Sequence, residues 1–506
     1  MTREPPWLAK PETGGLAVTT TPLDNNKMKV AIVGTGMAGL ATGYLLQHDE
    51  LQRYSVTLFE KGDRISLDAA SVTLMDERDG TCSRVDLPMR AFAGGFYNNL
   101  MAMYDHLGIR YHAKRFLFAF ADVARHGERI DEEKSPSLLS AAAAATTTSP
   151  YFIHSSNNHR LLPIRPPGAD AIGQFLEVVF VVACYAWFTL CCFVVEPRAS
   201  ESYGTYLKRT RVPQRFIDRY LVPLMSSVAT CSHEELLASP ASDLTGYQRQ
   251  GFGKDHFVVS HGVQDVVAVL SAGQDIRLSS EVLRVEPGGS RVRLVWRTGR
   301  GADDLVEEFF DRIVLAIDPG AVAKVFAPLR STMSRIPTRI VESAVLRAAD
   351  EFAKLRVTEH SYKQHDTAGF DAQVADTLLL RSRFTGAGGY TEALHTVSCG
   401  AVVATSITEG GFDDLKPLHR ASFWRVLRTP ESRKVVNAVM SQRPEKHGKH
   451  PILRRGEYAG WHNGDDGVWL AGGWCWDGMV LLEGCIVSAV RVAQDFGVRI
   501  PWESPS

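Results

Sequence analysis

The 506-residue chain has little of what would mark a specialised class. Its 56 basic and 57 acidic side chains nearly cancel, for a net charge of −1. The basic excess that goes with nucleic-acid binding is missing, so no nucleic-acid partner is expected. Eight cysteines are too few for a disulfide framework, and no two are spaced as C-x-x-C. Reduced thiols in a cytoplasmic protein are the simplest reading. No metal site is expected, because a structural zinc needs closely spaced ligand pairs. The first 27 residues contain no apolar core of the length a secretory signal needs, so secretion is not expected. They read as a disordered lead-in.

What is present is ordinary globular usage, 45% apolar and 9% aromatic. At roughly 100–200 residues per domain the length suggests two to four folding units. Residues 126–150, alanine-, serine- and threonine-rich, read as a low-complexity surface insertion.

From Lys29 to Val33 the chain is apolar and β-branched, the pattern of a buried parallel strand. Gly34-Thr35-Gly36-Met37-Ala38-Gly39 follows, then a helical stretch from Leu40 to Gln47 and a second strand ending at Glu60. Each glycine has its own task. Gly34 permits the tight turn, Gly36 lets backbone approach a pyrophosphate, and Gly39 lets helix and strand pack closely. Amides at the helix start, Met37 and Ala38 among them, then face the phosphates. Glu60, 26 residues after Gly34, is placed to accept hydrogen bonds from a ribose. Strand, turn, helix and acid together make a dinucleotide site.

Further strands are expected at Ile276–Leu278, Val282–Val285, Ser290–Trp296 and Glu307–Ile317. Residues 321–440 carry no interpretable motif. The chain closes with a strand at Val468–Ala471, the pair Gly472-Gly473, and a helix from Leu482 to Phe496.

Read together, Val30–Glu60, Asp311–Ala316, Trp469–Gly472 and Glu483–Ala489 resemble the FAD-dependent amine oxidase and phytoene desaturase superfamily. Within it, Val85–Arg90, Tyr97–Leu100 and Tyr220–Met225 resemble a subgroup of amine-oxidoreductase-like proteins. The resemblance implies FAD as the cofactor, with Gly472, Gly473, Glu483 and Gly484 closing over it and Val282 beside the adenine. Two departures stand out. The Gly-Gly-Arg usual after the ribose-binding acid is replaced by Asp63-Arg64-Ile65-Ser66, which leaves Arg64 and Ser71 as phosphate candidates. The late Gly-Thr-Glu is replaced by Gly473-Trp474-Cys475. Pro88, Met89 and Arg90 are the candidates beside the flavin ring, with Arg90 balancing charge there and Trp474 and Trp476 as substrate walls.

Val178–Val195 is an uncharged run of 18 residues, about 27 Å as a helix. Cofactor-site residues lie both before and after it, so a single crossing would divide the site. A buried helix or one in the membrane interface is therefore preferred to a span.

The expected architecture is α/β. A discontinuous Rossmann-type FAD domain takes 28–90, 251–320 and 450–498, and a mixed helical and sheet substrate domain takes 91–250 and 321–449. The expected activity is oxidation or desaturation of a small lipophilic metabolite at a C–N or C–C bond, by hydride transfer to flavin N5. The alternatives are a redox-neutral fatty-acid double-bond isomerase and a membrane-associated FAD-binding protein without catalysis. No electron acceptor is indicated.

Overall fold

The structure is a computed structural model that describes residues 27–75, 80, 82–123, 150–157, 163–166, 168–298, 305–347, 375–385, 388–397, 401–408, 410–412, 415–441 and 460–503. The expected lead-in and low-complexity insertion lie outside these residues, save Lys27 and Pro150 at their ends.

Strand β1 (Met28–Val33) lies at the centre of a five-stranded parallel sheet. Val30, Ala31 and Ile32 are wholly buried, as a strand covered on both faces requires. On one side β1 pairs with β2 (Tyr54–Phe59) and then β3 (Asp275–Arg277). On the other it pairs with β4 (Arg312–Leu315) and then β5 (Val468–Leu470). Helix α1 (Met37–Gln47) makes the crossover from β1 to β2 and is buried along most of its length. Sequence segments hundreds of residues apart thus meet at one sheet, with the glycine turn at its carboxyl edge.

The expected strand Glu307–Ile317 is two strands in two sheets. Leu305–Phe310 closes an antiparallel meander with Ser280–Gly288 and Arg291–Thr298, whereas β4 joins the parallel sheet. Asp311 marks the break. Its carboxylate accepts the Lys29 amide at 2.7 Å and Arg291 Nε at 3.0 Å, and its own amide donates to Lys29 O at 2.9 Å. A polar residue inside an otherwise continuous β pattern redirects the chain.

Residues 321–440 supply most of a seven-stranded sheet. Its order is His419–Val426, Thr338–Arg347, Ala401–Ser406, Gly388–Thr396, Ala375–Thr385, Arg115–Asp122, Phe152–Ser155. All neighbours are antiparallel except Ala375–Thr385 with Arg115–Asp122. Helices line the same region, among them α2 (Asn98–Leu107), α3 (Ala171–Val194) and α4 (Ala241–Gly251). Helix α5 (Leu482–Asp495) returns to pack on both α1 and α2.

Helix α3 does not meet the expectation of a buried helix. Cys184, Phe188, Thr189, Cys191 and Cys192 face the protein, and the rest of its apolar surface is largely open.

Gly39 sets how closely α1 approaches the turn. A Cβ there would lie 2.0 Å from Gly34 O, a backbone atom that cannot turn aside. Gly39→Ala is expected to destabilise the protein by about 1–3 kcal/mol through forced backbone displacement. A urea melt reads this directly, and an unchanged midpoint would contradict the packing described.

Candidate active site

Gly34 has φ +100°, a conformation L-residues rarely take, and a Cβ there would meet Ala316 O at 2.6 Å. Gly36 differs. The nearest atom to a Cβ at Gly36 is Ser66 Oγ at 3.9 Å, so the space over this residue is open. The first amides of α1 point out of the helix beside it, with no partners within the helix. The turn therefore offers N–H groups, the positive end of a helix dipole and room for an anion.

Thr35, which the sequence reading passed over, holds this turn. It is wholly buried, its Oγ1 donates to Glu60 Oε2 at 2.6 Å, and its amide donates to the same oxygen at 3.2 Å. Glu60 Oε1 accepts the Gly62 amide at 2.9 Å. The Ser66 amide donates to Thr35 Oγ1 at 2.9 Å, so the loop after β2 folds back over the turn. Arg64 stands exposed on that loop. Ser71 points elsewhere, accepting the Leu87 amide at 3.3 Å. Val282 sits just after Ser280, whose amide donates to Glu60 O at 2.7 Å, and packs into the core with Phe59 and Trp296.

The late segment comes to the same edge. The Gly472 amide donates to Ser488 Oγ at 2.9 Å. A Cβ on Gly484 would lie 2.6 Å from Gly473 O and 2.3 Å from Trp476 Nε1, so this contact between turn and helix start needs glycine. Glu483, expected at the cofactor, has its carboxylate elsewhere. Oε1 accepts the Asn99 amide at 2.9 Å and Asn99 Nδ2 at 2.7 Å, and Oε2 accepts the Leu100 amide at 3.0 Å. A carboxylate in the first turn of α2 answers that helix's unpaired amides and its dipole. Its role is to join α5 to α2.

Trp474 also lies away from its expected place. It is buried in the core beneath the parallel sheet, with Nε1 donating to Ile317 O at 3.1 Å, and cannot form a substrate wall. Trp476 is half-buried, and its ring meets Phe96 at 5.9 Å between centroids. Arg428, a residue the sequence did not mark, clamps this loop, donating to Trp476 O at 2.7 Å and Trp474 O at 2.8 Å.

Arg90, Tyr247, Arg425 and Cys485 all lie deep in the protein yet keep accessible surface, so each borders internal space. Pro88 and Met89, next to Arg90 in sequence, are half-buried. Arg90 donates from Nη2 to Leu67 O at 2.8 Å, while its Nε is buried without a hydrogen-bond partner. Burial lowers the pKa of both arginines and raises that of Cys485 to about 11. Cys485 lies within electrostatic reach of both guanidinium groups, beside Gly473 and Ala38 at the start of α1. Cys475 is fully buried in the core instead. An open cradle at Gly36, an unsatisfied arginine nitrogen and cationic internal space suit a large anionic dinucleotide.

The comparisons agree. Residues 32–107 match the NAD(P)-binding Rossmann-like domain and residues 176–376 the flavin containing amine oxidoreductase family. Both matches are those of an FAD-dependent amine oxidase-like chain. Its cofactor is FAD, and it is an oxidoreductase. Cyclohexylamine oxidase from Brevibacterium oxydans IH-35A shares the fold, with 13% identity, TM-score 0.52, and coverage of 93% of this chain and 100% of that one. A triple mutant of putrescine oxidase with redesigned cofactor binding aligns at 13% identity and TM-score 0.49, covering 94% and 99% of the two chains. No curated protein matches the sequence.

In this amine oxidase relative, Gly36 and Gly39 should separate on mutation. Gly36→Val has room in the polypeptide, so the protein is expected to fold with near-normal stability. Its side chain fills the phosphate cradle, so the purified protein should be colourless. Stoichiometric yellow flavin in this variant would refute the placement of the pyrophosphate.

Proposed function

We propose that this enzyme oxidises the C–N bond of a small lipophilic amine inside the cavity bounded by Arg90, Tyr247, Arg425 and Cys485. Bound FAD supplies the hydride acceptor, and the protein supplies orientation, a dry site and electrostatics. The family description favours C–N oxidation over the C–C desaturation and redox-neutral isomerisation also raised by the sequence.

The observation that supports the reading is the aromatic cluster packed around Tyr247. Phe96 lies 4.8 Å from Tyr247, 5.0 Å from Tyr97 and 5.9 Å from Trp476 between ring centroids, in edge-to-face packing. Burial raises the pKa of Tyr247 to about 12 and that of Tyr97 further, so both rings stay neutral. An apolar wall favours a lipophilic substrate and excludes water.

Arg425 adds an electrostatic preference. Its Nε donates to Ala229 O at 2.9 Å, and among the described residues no carboxylate acts on it. A cation nearby disfavours the ammonium form of a bound amine. The neutral form retains the nitrogen lone pair that assists hydride departure from the adjacent carbon.

Two experiments test this. Mixing the flavin-loaded enzyme with small lipophilic amines without oxygen is expected to bleach the flavin lastingly. Turnover without bleaching, or no response to any amine, would overturn amine oxidation. In Arg425→Met the bound amine loses a neighbouring positive charge, its pKa rises, and the rising limb of kcat should move up by about 1 pH unit. An unmoved limb with full flavin content would remove Arg425 from this role, and loss of flavin would make it a cofactor residue.

A further inference from the structure

We propose that α3 rests in the surface of an anionic lipid bilayer. The helix runs about 36 Å at ~1.5 Å per residue. Along its outer side Phe175, Leu176, Val182, Leu190, Phe193 and Val194 are between 50% and 66% exposed. Phe252, itself 48% exposed, meets Phe193 at 5.9 Å and carries the patch onto the end of α4. A contiguous apolar surface of this extent calls for a partner.

Polar groups on α3 find partners within the protein. Tyr185 Oη and Thr189 Oγ1 accept Gln248 Nε2 at 3.0 and 3.2 Å, and Trp187 Nε1 donates to Thr210 O at 2.9 Å. Glu177 is paired with Arg215 and Tyr220. The outer stripe is left without hydrogen-bonding groups, as burial among lipid tails requires.

A transmembrane placement conflicts with the topology. Strands before the helix pair with strands after it in two sheets, β1 with β4 and Arg115–Asp122 with Ala375–Thr385. Both ends of α3 must therefore lie on one side of a membrane. Among the described residues it is the one helix long and apolar enough to cross. It can lie in the interface plane, its apolar face about 5–10 Å into the headgroup boundary.

Charge separates lipid from a second copy of the chain. Residues 196–219 carry six basic side chains against three acidic ones. Lys208, Arg211 and Arg215 among them are exposed. Basic side chains beside an apolar stripe complement anionic headgroups. In a two-fold contact between copies these like charges would be brought together. The docked face also adjoins the cavity, because Gln248 on α4 holds α3 and the adjacent Tyr247 lines the site. A lipophilic substrate could then enter from the bilayer. That entry route rests on the amine reading of the site, but the docking does not.

The test is flotation of the flavin-loaded protein with vesicles of phosphatidylcholine containing phosphatidylserine. Wild-type protein is expected to float with them and to be released by salt. Two variants check the cause. V182E/L190E/F193E alters only exposed positions, and K208E/R211E reverses only surface charge. Each is expected to reduce the bound fraction about tenfold with flavin content unchanged. Wild-type protein that stays unbound overturns the proposal. So does a dimer, seen by size exclusion, that V182E/L190E/F193E dissolves. Amine-dependent bleaching in a non-binding wild type would show that the docking had failed while the site reading stood.

Discussion

The cofactor end of this protein depends on one buried carboxylate. Glu60 ends β2 and touches three otherwise separate parts of the chain. Its side chain holds Thr35 in the glycine turn, its amide donates to Arg277 O on β3, and its carbonyl accepts the Ser280 amide opening the meander. A carboxylate at the edge of an apolar sheet is tolerable only when its oxygens are satisfied, and here Thr35 and Gly62 satisfy them. A carboxylate has about four lone-pair positions, so these bonds leave capacity for a ribose hydroxyl. One residue thus pins the turn and keeps acceptor capacity to spare.

A second carboxylate repeats this logic between distant segments. Glu483 lies 384 residues after Asn99 and closes the start of α2 with both oxygens. The cavity lies where these segments meet, bounded by Arg90 before α2 and Cys485 two residues after Glu483. Its form therefore depends on chain ends brought together by one helix-capping interaction. Two arginines buried without carboxylate hydrogen bonds are costly alone. Beside Arg90, Asp86 and Asp68 supply part of the opposing charge.

Much of the parallel sheet was legible in the sequence because its signals are local. Val30 to Glu60 carries an apolar run, spaced glycines and an acid within one supersecondary unit. The seven-stranded sheet was not legible, since its pairings join Arg115–Asp122 to Ala375–Thr385 and no short pattern records such a partner. Site residues divide the same way. Gly34 and Gly39 follow from backbone constraints that glycine alone meets, and Gly36 from the open space above it. Thr35, Arg425 and Arg428 gain their roles only from tertiary neighbours. Glu483 and Trp474 mislead for a related reason: a motif gives the position of a residue along the chain, while the direction of its side chain depends on what packs against it.

The same limit applies to α3 and explains its ambiguous signal. Eighteen uncharged residues could equally form a core helix, a span or an interfacial helix, because hydropathy measures how apolar a segment is and not what it meets. Topology and exposure supply the rest. Interleaved strands fix both ends of the helix on one side, and the open outer stripe shows that the protein's own core does not take it up. Helix α4 joins this stripe to the interior, since Gln248 holds α3 and Tyr247 beside it packs on Phe96. Because neighbouring helix residues project in different directions, one short helix can hold α3 through Gln248 and face the protein interior through Tyr247.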